Sequence, residues 1–143
     1  MKVNALQIRN VVFCALVAIF AVLVAAIVTG WGRRLGFVIP LYAMAVLAAA
    51  FVVLAVALVI ITAKLKESGI RKVFFIVTGA SAILIPIFAI LHNLAYALFF
   101  HGKDGDEAFF FILAIIVCPA LFVLGAIGSI VLLVSATLRK KES

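Results

Sequence analysis

The sequence predicts an all-α membrane protein, four transmembrane helices in an antiparallel up-down-up-down bundle with both termini cytoplasmic. Three observations carry that expectation. Of 143 residues, 69% are hydrophobic, with 12 basic and 5 acidic side chains. Soluble domains are roughly 45–50% apolar and about 25% charged. Next, four charge-free runs, Asn10 to Gly32, Leu35 to Ala63, Val73 to Gly102 and Ala108 to Leu138, hold 23, 29, 30 and 31 residues, each above the roughly 20 that a helix needs to cross hydrocarbon. Finally, the connections are short enough to force sequential antiparallel neighbours. The chain reads as a single four-helix transmembrane domain over 1–143, with spans at about 10–31, 36–63, 73–100 and 107–137. The runs lack period-2 alternation, which excludes membrane strands.

The first span follows Lys2 and Arg9, and its apolar stretch from Val11 to Val28 exceeds the 7–15 residues of a signal-peptide core, so an uncleaved helix is expected. Ala21-x-x-x-Ala25 has the small-residue spacing that lets membrane helices approach. Trp31, between Gly30 and Gly32, suits the membrane interface. The second span offers Ala45-x-x-x-Ala49, with Tyr42 near its start, and Gly69 supplies the turn that follows it.

The third span is the most informative. Thr78, Ser81, Ile85, Ala89, His92 and Tyr96 advance by three or four residues and share one helical face. Polar groups cost free energy against lipid, so this face is expected to turn inward, with Asn93 beside it. Pro86 interrupts the backbone ladder here and Pro119 interrupts the fourth span at similar depth, beside Cys118. Thr78, Ser81, His92, Asn93, Tyr96 and Cys118 therefore form the candidate intramembrane polar site. An antiparallel pivot near Asp104 would put His92 level with about Ile116, within a turn of Cys118. In the fourth span, Asp106 is expected as N-cap with Glu107 in the first turn, and Gly125-x-x-x-Ser129 as a packing seam.

Charge sets the orientation. Lys2, Arg9, Lys64, Lys66, Arg71, Lys72, Arg139, Lys140 and Lys141 fall on the side of the termini, and Arg33, Arg34 and Lys103 on the other. The positive-inside rule then places both termini in the cytoplasm of a cell-membrane protein. The net charge of +7 belongs to span ends rather than to a nucleic-acid surface, since there is no groove-reading element or base-stacking platform. Anionic lipid headgroups are the expected partners of Lys64, Lys66, Arg71, Lys72, Arg139, Lys140 and Lys141. Arg9-Asn-Val-Val-Phe13 faintly echoes Arg71-Lys-Val-Phe-Phe75, but the similarity stops there.

The charge-free runs contain no carboxylate of the kind that proton-coupled pumps use. Cys14 and Cys118 are expected at different depths, too far apart for a disulfide. A bis-histidine haem is disfavoured because His101 stands about 13 Å from His92 along the axis. The segment His101-Gly-Lys-Asp-Gly-Asp-Glu107 lacks the length and spacing of an EF-hand loop, so no metal is expected. No nucleophile and base pair, phosphate loop or carboxylate pair points to an enzyme, and no cofactor is expected. The reading that remains is a small non-enzymatic membrane protein, an accessory subunit of a membrane complex or a homo-oligomer. The alternatives are an oligomeric channel or carrier for a small neutral solute, lined by the third and fourth spans, and a redox or quinone-binding subunit using His92.

Overall fold

The computed structural model describes residues 4–28, 41–67, 69–100 and 108–139. All the secondary structure in these segments is helical, and four helices are long and apolar enough to cross a membrane: Ala5–Val28, Tyr42–Lys64, Ile70–Phe100 and Phe109–Leu138. Only 11% of the apolar stretch of the first span is buried, against 28% in the third and fourth. So much uncovered apolar surface, on helices of this length, is that of a membrane protein rather than of a water-soluble bundle. The chain divides into two compact units, Met1–Lys66 and Glu67–Ser143.

The first unit pairs α1 (Ala5–Val28) with α2 (Leu41–Lys64). The sequence places the first span at about residue 10, but the helix starts five residues earlier. The cause is a reciprocal cap: Leu6 N–H donates to Asn4 Oδ1 at 3.3 Å, and Asn4 N–H donates to Gln7 Oε1 at 3.2 Å, satisfying two otherwise orphan donors. Arg9 thus lies inside the helix, correcting the expectation that the spans hold no charged residue, and its side chain is only 1% exposed.

Phe20 stacks on Phe51 with centroids 6.0 Å apart. Taken antiparallel from that pair, Leu16 would fall level with Ala55, Phe13 with Leu58 and Arg9 with Thr62. All six are buried, and their spacing on each helix, by fours and threes, is that of one face. Ala21, Ala45 and Ala49 are exposed, so this pair does not close through the small-residue spacings in its sequence. Trp31, Arg33 and Arg34 lie outside the described residues.

The second unit begins with the Glu67 and Arg71 ion pair and with Gly69, whose φ of 93° is the left-handed region open to glycine. Next come α3 (Ile70–Ala95), a π-helical turn at Tyr96–Phe100, the short α4 (Phe109–Ile112), a second π turn at Leu113–Val117, and α5 (Cys118–Arg139). The second π turn immediately precedes Pro119. A proline ring clashes with the carbonyl four residues back, here Ile115, and a widened turn relieves the clash. Cys118 N–H accordingly donates to Leu113, five residues back. Pro86, by contrast, sits within continuous α-helix. The N-cap of α4 is Ala108, without a side-chain cap; Asp106 and Glu107, expected there, lie outside the described residues, as do His101 and Asp104.

Candidate functional site in the third and fourth spans

The site is built on the seam of α3 against α5. A Cβ added at Gly125 would sit 2.5 Å from Thr78 Oγ1 and 2.9 Å from Thr78 N, and one at Gly128 would sit 2.5 Å from the Phe74 ring. His92 packs its ring on Phe111 at 5.3 Å, tilted by 53°. These contacts run in opposite directions along the two helices, so they are antiparallel, with Ser81 about level with Phe122 and Ile85 about level with Cys118.

The six predicted residues separate into two groups. Thr78, Ser81 and Cys118 are buried in the seam. His92 is half-buried, while Asn93 and Tyr96 are exposed, so the seam of α3 and α5 does not cover the polar face along its whole length. Nor does His92 meet Ile116. Phe111 takes that level, leaving Cys118 about two turns of helix away, because the register pivots two to three residues ahead of Asp104. Ser81 and His92 stand eleven residues apart, about 16 Å at helical rise. Tyr42 is exposed on α2.

No protein-family model, curated protein or solved structure matches the chain.

The seam's hydroxyls are committed to their own helix. Thr78 donates to the Phe74 carbonyl at 2.8 Å, and Ser81 to the Val77 carbonyl at 2.7 Å. Such back-bonding satisfies a hydroxyl without an external partner. It also makes Thr78 and Ser81 poor ligands for anything else. Asn93 Nδ2 donates to the Ala89 carbonyl at 2.8 Å. The exception is Ser129, one turn beyond Gly125, whose buried hydroxyl has no partner.

Sequence reasoning missed the polar cluster of the first unit. Arg9 donates through Nε and Nη2 to Asn10 Oδ1 at 3.4 and 3.3 Å, and on α2 the buried Thr62 hydroxyl is unpaired. The available signal was Asn4-x-x-Gln7, a capping pattern that starts the helix ahead of Arg9. Burial of an arginine followed from packing and had no local signature.

Proposed function

We propose that the chain is a small non-enzymatic multi-pass protein of the cell membrane, a single four-helix domain with both termini cytoplasmic, serving as an accessory subunit packed against a larger membrane partner. The observation that carries this reading is how the intramembrane polar groups are spent. Thr78, Ser81, Ser135 and Thr137 each donate to a carbonyl of their own helix, which satisfies each hydroxyl locally and leaves it no donor to present to a substrate. Large apolar side chains such as Val53, Ile60, Ile90 and Leu124 are exposed on both units and offer area to lipid and to partner helices alike. The distribution of Lys and Arg supports the orientation. In this reading Lys64, Lys66, Lys72, Arg139, Lys140 and Lys141 meet anionic headgroups, at about 1 kcal/mol each near the surface, while Arg71 is shared with Glu67.

Two experiments test it. In intact cells Ser143→Cys should resist an impermeant thiol reagent, and labelling from outside would reverse the orientation. Solubilised in mild detergent at native abundance, the chain should migrate with a larger integral membrane protein, to which it cross-links; recovery only as monomer or homodimer would end the accessory reading.

A second reading, a path for a small neutral solute, is favoured by one observation. Pro86 and the π turn at Leu113–Val117 lie at about one level of the α3 and α5 seam, and paired helix breaks mark binding sites in transporters. Solute flux into vesicles carrying the pure protein would establish it, and flux equal to that of empty vesicles would remove it.

A further inference from the structure

We infer that the face of α3 carrying Asn93 is an interface between two copies of this chain. Asn93 stands seven residues before Phe100, where the third span ends, about 10 Å into the membrane at helical rise. It is exposed, and Ile90, Leu94 and Ala97 around it on that face are exposed and apolar. Among the described residues its side chain makes one hydrogen bond, from Nδ2 to the Ala89 carbonyl. A carboxamide has two donor hydrogens and an oxygen with two lone pairs, so one N–H and the whole of Oδ1 remain to be satisfied from outside the helix. Hydrocarbon supplies neither donor nor acceptor.

A second Asn93 supplies both. The carboxamide is self-complementary, so across a twofold axis the Oδ1 of each copy accepts from the free N–H of the other, in an isologous contact. Ala89 and Ala97, four residues to either side, are small enough for the two backbones to approach to that distance. Other exposed polar groups in the spans make no such demand. Ser135 and Thr137 spend their single donor hydrogens on Val131 and Leu133, and Tyr96 lies nearer the span end, where tyrosine is favoured at the interface. Gln7, Tyr42 and Lys64 stand at span ends, where water and headgroups can meet them, and the Cys14 thiol is only a weak donor and acceptor; the other exposed positions are apolar, and for them lipid is as good a partner as protein. The inference requires only that the chain is in a membrane, and it stands or falls separately from the accessory role.

The test uses the full chain with Cys14→Ser, Cys118→Ala and Ser143→Cys, labelled at position 143 with donor or acceptor dye and reconstituted in phosphatidylcholine vesicles over a range of dilution. Energy transfer should exceed the random-proximity level. Asn93→Leu should weaken the dimer roughly tenfold, in line with one or two interhelical hydrogen bonds in lipid, while Asn93→Gln keeps most of the association. In the same background without the label, Ala97→Cys should cross-link between copies on oxidation and Val53→Cys should not, which decides the matter even if Asn93→Leu fails to fold. Transfer at the random level at every dilution, a dimer indifferent to Asn93→Leu, or no cross-link at Ala97→Cys would each overturn the inference. So would a monomer that Asn93→Leu destabilises, since the occupant of this face would then be intramolecular.

Discussion

In the first helix pair the buried positions carry mostly large side chains, Arg9, Phe13 and Leu16 on α1 and Leu58 and Thr62 beside Ala55 on α2, whereas in the second Gly125 and Gly128 bring α5 onto the backbone of Thr78 and the ring of Phe74. Both seams answer one difficulty. Lipid tails are as apolar as leucine, so burying an apolar side chain against another helix gains nothing from water, and association rests on packing and on polar contacts. The first pair obtains its dispersion contacts from large interlocking side chains. The second removes side chains, so that backbone meets backbone and hydroxyl. The first seam should therefore suffer from truncation and the second from enlargement.

The largest effect is expected where backbone forms the wall. Gly125→Leu places carbon against Thr78 Oγ1 and N, and the backbone N cannot withdraw without unwinding α3, so a loss of about 3 kcal/mol is expected. Unfolding in mixed micelles measures it, and an unchanged midpoint would mean that α5 does not pack at Gly125.

Arg9→Ala tests the opposite seam. It deletes a long, fully buried side chain and its bonds to Asn10, and should cost about 2 kcal/mol by loss of packing. Arg9→Met, which keeps most of the volume, should recover at least half of that. Equal losses from both variants would show that charge, not bulk, holds the first pair.

Gly128→Ala should cost only about 1 kcal/mol, because its Cβ meets the Phe74 ring, a side chain that can rotate aside as the Thr78 backbone cannot. A loss as large as that at Gly125 would show the ring to be fixed. The smallest effects belong to the unpaired hydroxyls. Thr62→Val and Ser129→Ala each remove a buried oxygen that has no hydrogen bond, so stability should hold or rise by about 0.5 kcal/mol. A clear loss at Ser129→Ala, without one at Thr62→Val, would reveal a hydrogen bond specific to the second seam.

Several features of this contrast are legible in the sequence. Gly125-x-x-x-Ser129 reads directly as a seam because a glycine inside a membrane helix has few other uses, and Gly69 reads as a turn because only glycine adopts its φ freely. The same rule misleads at Ala45 and Ala49, which are exposed; alanine is so frequent here that its spacing carries little information. The stripe from Thr78 to Tyr96 was half legible. Its periodicity was real, but periodicity does not say how much of a face a neighbouring helix covers: Thr78 and Ser81 are buried, while Asn93 and Tyr96 are exposed.

The sequence by itself determined that four segments of the described residues are helices long and apolar enough to cross a membrane, because hydrocarbon demands long uncharged runs and the chain supplies four of them. The tertiary structure decided which side of each helix packs, at what register, and that Arg9 is buried while Asn93 is not. The reason is that the helices are apolar on nearly every side. Where no face prefers water there is no stripe to read, and rotation and register are set only by the shapes that meet.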